Sequence, residues 1–387
     1  MKRLSEDQSS TRATLRTARA FTRRTVLQGA VATGALAAVG PWVIREGRAG
    51  SGSFNFIGWA GYDAFPAVFE TFKADTGVTV NFTALPDQDA MFAQVKATGG
   101  EGFDLVEPAE DRVPNWVEQG LLRPLDEGKL GLEGVNEGFL GGNTIIDGKR
   151  YGSPTVWGTE ALCFNTEKAP LEYGKASYGD LWRPEFEGKV TVRPHSSLVG
   201  IGLWLEGEGK LPKPMRESFK NEETMIQNYD VIIDVAVKNR KSIGQFWKDE
   251  NTAQGAFRTN GMVLGQNWDT SAAALIKEGL PISYVAPKEG AISWLQAFIM
   301  PKGATNMEQA YEWIRWINSA KGSALWADAY TANPTAKGAE ALVNEFTSKF
   351  LAMAYPGDAL KKIWAWPAQP TWFVTKRTEY ADRLQAA

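Results

Sequence analysis

Residues 54–82 read FNFIGWAGYDAFPAVFETFKADTGVTVNF, and their periodicity sets the fold. Phe54 to Ile57 is a short apolar run that ends at Gly58-Trp59-Ala60-Gly61-Tyr62, which predicts a strand and then a loop whose glycines let backbone approach a ligand. Phe65, Val68, Phe69 and Phe72 repeat at i, i+3, i+4 and i+7, the apolar face of a helix. Asp75-Thr76-Gly77 stops that helix, and Val78 to Phe82 alternates as the next strand. A second helix around Asp89 to Thr98 leads through Gly99-Gly100 to a strand at Phe103-Asp-Leu-Val106. Strands alternating with helices at this spacing predict a parallel sheet covered by helices. Such sheets bind ligands at the carboxyl ends of their strands, where Trp59, Tyr62 and the segment Glu107 to Asp111 fall.

Further along, Ser153 to Gly158 runs into an apolar strand at Ala161 to Phe164, read as a crossing into a second lobe. Ser177 to Leu181 opens a helix, Lys189 to Arg193 makes a strand, and residues 206–225, rich in Gly, Pro, Lys and Glu, read as an exposed insertion. Helix dominates to Asn239, with Val231, Ile232, Val235 and Ala236 on one face. Met262-Val-Leu264 is another strand, with Gly265 to Asp269 at its ligand-side end, and Tyr330 to Ala387 is expected to be helical and to pack on the second lobe.

The 387 residues carry 42 Lys/Arg and 45 Asp/Glu, a net charge of −3. Thr22-Arg23-Arg24-Thr25-Val26-Leu27 before an uncharged stretch from Val26 to Ile44 reads as a twin-arginine export signal, cleaved near Gly47-Arg48-Ala49. Nine Lys/Arg and three Asp/Glu leave with residues 1–49, so the mature chain carries −9. A field of that sign disfavours nucleic acid and anionic lipid as partners. Cys163 is the single cysteine and His195 the single histidine. An intrachain disulfide, a His-rich metal site and a Ser/His or Cys/His nucleophilic pair are thereby excluded, and neither metal nor cofactor is expected. Cys163, in an apolar strand, reads as a buried inert thiol. Gly200-Ile-Gly202 lacks the third glycine of a dinucleotide loop.

Phe56-Ile-Gly-Trp59-Ala-Gly-Tyr62, Phe72 to Gly77, Phe103-Asp-Leu105, Gly120 to Asp126, Val156-Trp157-Gly158, Asp180 to Gly188 and Pro287-Lys-Glu-Gly290 occur in an order and spacing that resemble a periplasmic solute-binding protein of an ABC importer, closest to the polyamine (spermidine/putrescine) branch. The resemblance implies a two-lobe α/β periplasmic-binding-protein fold, type II-like, each lobe a mostly parallel sheet flanked by helices with the ligand cleft at the hinge. The expected organisation is an export signal over 1–49, lobe 1 over 50–156 and 269–322, and lobe 2 over 157–268 with C-terminal helices over 323–387. It further implies a monomer that captures a small amino-containing solute by cleft closure and hands it to permease subunits served by a separate ATPase, with no chemistry on the solute.

Polyamine binders of this family wrap an aromatic box around the methylene chain and place carboxylates at its ammonium ends. Trp59, Tyr62 and Trp294 fall on the family's aromatic positions, Trp268 sits at a strand end, and Trp247 and Tyr330 are candidates for further walls. Trp313, Trp316, Trp326, Trp364 and Trp366 fit helix packing instead. The carboxylates depart from the pattern. Gln296 stands where the family has its key Asp, and Arg193-Pro-His195-Ser196 stands for an acidic loop. Asp269 follows Trp268 directly, while Glu110 and Asp111 occupy a loop where Ser and Tyr are usual. A monocation, or an amine that also carries an acid or hydroxyls, fits Arg193, Ser196 and Gln296 better than a polycation does. Two other readings stay open: a periplasmic hydrolase using Glu110 and Asp111, and a docking protein for a sensor or chemoreceptor with the same fold.

Overall fold

β1 (Ser53–Trp59) lies between β2 (Thr79–Leu85) and β3 (Leu105–Val106) and runs parallel to both. α1 (Phe65–Thr76) and α2 (Gln88–Thr98) are the crossovers. Pro66 opens α1, and Gly77, at φ 78°, closes it in the left-handed conformation that a side chain resists. Asp87 caps α2 by accepting from the Ala90 N–H at 2.8 Å. The computed structural model describes residues 52–387, so the export-signal reading of 1–49 lies outside the described residues. β3 is only two residues long, and just before it the Asp104 carboxylate accepts from the backbone N–H groups of Asn55, Thr305 and Asn306.

After the short helix α3 (Val113–Glu118) and a small hairpin of β4 (Ile145–Ile146) and β5 (Lys149–Arg150), the chain enters β6 (Gly152–Asn165), 14 residues long. Beyond it come β7 (Val190–Val192), α4 (Pro194–Gly207), α5 (Glu222–Lys238), β8 (Ile243–Phe246), α6 (Glu250–Arg258), β9 (Leu264–Trp268), α7 (Asp269–Lys277), β10 (Ile282–Val285) and β11 (Ile292–Ile299). α8 (Met307–Ile317), α9 (Ala320–Tyr330), β12 (Asn333–Pro334), α10 (Glu345–Ala354), β13 (Trp364–Ala365) and α11 (Thr371–Ala386) complete the chain.

Eleven strands form one sheet with the main order β2-β1-β3-β11-β6-β9-β7-β8. The fold is α/β with parallel strands at both ends, as the sequence predicts. The two parallel sets are joined because β6 and β11 serve both: β6 pairs antiparallel with β11 over Gly152 to Glu160 and with β9 over Glu160 to Phe164.

Apolar side chains gather in separate cores. One surrounds β1 and α1 and includes Trp313, Trp326 and Tyr330. A second surrounds β7, α4 and α5 and takes Phe373, Tyr380 and Leu384 from α11. A smaller third holds Cys163, Tyr284, Phe350 and Tyr355. The C-terminal region is therefore less uniform than expected, being helical only in part and contributing to each of these cores. Residues 206–225 also depart from an exposed insertion. Met215 and Phe219 are buried in the second core, and Asn228 ties the loop down through Lys213 and Ser218. Met225, at the start of α5, is buried in the same core, so apolar anchors along the segment hold it down although its composition is otherwise that of a loop.

Candidate functional site

The carboxyl ends of β1 and β9 face each other, and the side chains that leave them build a cleft. Trp59, the last residue of β1, donates its indole N–H to the Glu107 carbonyl at 2.7 Å and meets the Trp268 ring edge-to-face, with centroids 6.1 Å apart. Trp268, the last residue of β9, is backed by Trp247 at 4.7 Å. Gly61, at φ 97°, lets the loop pass α6 where an added Cβ would sit 3.0 Å from the Glu250 Cβ. Tyr62 is thereby carried across to α7. Its hydroxyl reaches Thr270 at 3.4 Å and Glu250 at 3.5 Å, while its ring stacks on Phe65.

The opposite wall comes from β11 and β6. A Cβ on Gly158 would lie 2.3 Å from the Trp294 ring and 2.6 Å from the Asp269 carboxylate, so only glycine admits both beside β6. A bulge between Leu295 and Ala297 shifts the register at Gln296, which bridges to Ala109 and turns toward the cleft. Together, Trp59, Tyr62, Gln88, Ala109, Asp111, Glu160, Arg193, His195, Trp268, Thr270, Trp294, Gln296, Trp366, Gln369 and Arg377 line one cleft. A neighbouring cavity shares Asp111, Trp294 and Trp366 with it and adds Glu110, Phe139 and Trp157.

Seven of the twelve residues singled out from sequence meet in this cleft: Trp59, Tyr62, Asp111, His195, Trp268, Trp294 and Gln296. The other five lie elsewhere. Glu110 faces the neighbouring cavity, where burial and the adjacent Asp111 push its carboxyl up to about 8. Ser196 is buried behind the wall and donates to Glu160. Trp247 is core, its indole N–H spent on the Gln266 carbonyl at 2.9 Å. Asp269 accepts from the Thr159 and Thr270 N–H groups and from the Tyr355 hydroxyl, so its carboxylate supports backbone; burial lifts it to about 7 against those bonds. Tyr330 packs in the first core and donates to Glu107 at 2.7 Å.

Glu160, Trp366, Gln369 and Arg377 are cleft residues that sequence reading missed. Glu160 carried a usable signal, an acid directly before the apolar run from Ala161 to Phe164. Trp366 belongs to the cleft wall and not to helix packing alone. Gln369 and Arg377 arrive with the C-terminal return: Gln369 donates to the Asp111 carboxylate at 2.6 Å, and Arg377 is buried on α11.

The charges are uneven. Arg193 holds its guanidinium 5.0 Å above Trp268 and 5.6 Å above Trp247. Arg112 pairs with Asp89 at 2.8 Å, and Arg377 lies 4.0 Å from the same carboxylate. Burial opposes the Asp89 charge, yet the two guanidinium groups hold its carboxyl below the usual range. Burial raises Asp111 and Glu160, and outweighs the pull of Arg112 and Arg377 on the first and of Arg193 on the second. His195 is driven well below 6.5 by burial first, then by Arg377, Arg193 and Arg112, which leaves it a neutral imidazole.

An aromatic cleft at opposed strand ends, with its polar groups aimed inward, is the site of a small-molecule binder. Residues 67–354 match the model of the bacterial extracellular solute-binding protein family, and the chain belongs to that family. It is 28% identical to spermidine/putrescine-binding periplasmic protein 1 of Haemophilus influenzae over 83% of this chain and 85% of the relative. Against the spermidine/putrescine-binding periplasmic protein of Escherichia coli the identity is 26%, over 68% of this chain and 71% of the relative. The spermidine/putrescine ABC transporter substrate-binding protein PotD of Streptococcus pneumoniae superposes with a TM-score of 0.68 at 20% identity, covering 86% of this chain and 98% of that one. Among the described residues no helix is long and apolar enough to cross a membrane.

Proposed function

We propose that the chain is the capture component of an ABC importer, exported by the twin-arginine route to the periplasm. It binds a small amino-containing solute as a monomer and delivers it to permease subunits driven by a separate ATPase. The observation that carries this reading is the cleft itself, with Trp59 and Tyr62 from the β1 end meeting Trp268 and Thr270 from the β9 end. Two lobes, divided as the sequence suggests but with α9 counted to the first because Trp326 and Tyr330 pack in its core, pivot on β6 and β11. A solute that touches both lobes favours the closed population by the free energy of contacts missing in the open one, and the permease reads that closed form.

Hydrolysis finds no support beyond the presence of acids. Asp111 is held by Gln369, and Glu110 faces the neighbouring cavity. The test is a thermal-shift screen of the mature protein against amines, opines, sugars and phosphonates at millimolar concentration, with recovery of the solute afterwards. A true ligand at a hundredfold excess over its Kd adds about 2.7 kcal/mol and is recovered intact. No stabilisation by any solute overturns the capture reading, and turnover of the bound solute overturns its non-enzymatic part.

A further inference from the structure

Resting on the capture reading, we infer that the solute bears an anionic group, carboxylate or phosphate, held by Arg377 and Arg193, as well as its amine. Arg377 lines the cleft although its residue is only 4% exposed. Its Nε and Nη1 donors have no hydrogen-bond partner. The nearest acid, Asp89, lies 4.0 Å away and is already committed to Arg112 at 2.8 Å. A guanidinium removed from water with donors unspent is costly, and a ligand oxyanion supplies the acceptors. Arg193 approaches from the β9 side of the cleft, stacked on Trp268, so one anion reaches guanidinium groups from α11 and from the start of α4.

The same wall argues against a polycation. An ammonium at this end meets like charge and is repelled. The amine has the aromatic faces of Trp59 and Trp268, and beside them Asp111 and Glu160, whose carboxylates also accept from Gln369 and from Ser196 and Gln266. The Trp294 indole N–H and the Gln296 amide oxygen are also buried without partners, one donor and one acceptor suited to a ligand that carries both kinds of group. A zwitterion satisfies the two ends together; a diamine satisfies one.

Calorimetric titration of the tag-free mature protein with 1,4-diaminobutane, 4-aminobutanoate, 3-aminopropyl phosphate and succinate tests this and separates the two anion chemistries. At least one of the two zwitterions is expected to bind about tenfold or more tighter than the diamine. Arg377→Lys keeps the charge and loses the fork, so it reduces that preference about fivefold or more, and Arg193→Gln reduces it independently. The preference is a ratio within one sample, which a partly unfolded variant does not distort. A diamine that binds tighter than both zwitterions, or a preference unchanged in both variants, overturns the inference. So does failure of both zwitterions to bind, and in that case stabilisation by any other solute leaves the capture reading standing.

Discussion

Glu107 is an acid on which pH should act measurably. It is fully buried beneath β1, where Thr155 and Trp326 donate to Oε1 at 2.6 and 2.9 Å and Tyr330 donates to Oε2 at 2.7 Å. Burial raises its carboxyl from 4.5 to about 7, because desolvation outweighs those three bonds. A folded pKa above the unfolded one means that the folded state holds the proton longer. The stability contribution is therefore complete below pH 4.5 and is lost as pH rises to about 7. At 1.36 kcal/mol per pH unit, the interval from 5 to 7 is worth about 2–3 kcal/mol. Glu107→Gln is close in shape to the protonated acid: its amide oxygen still accepts from Thr155 and Trp326, and Tyr330 turns to accept from the NH2, as it must when the acid is protonated. Urea unfolding at pH 5 and pH 8 should give nearly equal stabilities at pH 5 and a variant more stable than wild type by about 2 kcal/mol at pH 8. Parallel behaviour of the two proteins between these pH values, or a wild type that gains on the variant, refutes the reasoning. Glu250 and Asp269, each raised to about 7 by burial, slope the same way in both proteins and cancel in the comparison.

The remaining predictions concern the cleft. Gln296→Asp puts a carboxylate where the unpaired amide oxygen now sits, and calorimetry should find affinity for 1,4-diaminobutane raised about tenfold; unchanged affinity would mean that charge at this position does not set the ligand. His195, the single histidine, gives one imidazole signal in a tag-free protein, and its NMR titration should have a midpoint well below 6.5. A bound anion between Arg193 and Arg377 offsets their field and moves that midpoint upward. A free-state midpoint at or above 6.5 removes the unbalanced positive charge on which this expectation rests.

What was legible in the sequence was local. β1, α1, β2 and α2 declare themselves by period and by stop signals, and Trp59, Tyr62 and Trp268 stand at strand ends that a parallel sheet opens toward a ligand. Residues whose partners lie far along the chain were read less well. Nothing near Asp269 reveals that its acceptors face Thr159 and Tyr355, or near Tyr330 that its hydroxyl belongs to Glu107. Arg377 sits in a helix whose neighbours Lys376, Thr378 and Glu379 are polar, so it reads as a solvated face until the return of α11 buries it.

That return changes how the charge of the cleft should be understood. Read in order, the chain loses a carboxylate at Gln296 and gains a guanidinium at Arg193, which describes a weakened cation site. With Arg377 added from α11 the same wall becomes an anion site, while Asp111 and Glu160, each accepting from its own protein donors, keep acid in the cleft for an amine. Residues 50–387 carry a net charge of −9, which opposes an anion at long range, but such fields act on net charge and are screened beyond about 8 Å at physiological salt. An amino carboxylate carries no net charge for that field to repel, and an amino phosphate carries less than its phosphate alone. Selection falls to contacts made inside the cleft, where Arg377 has unspent donors for an oxyanion and repels a second ammonium.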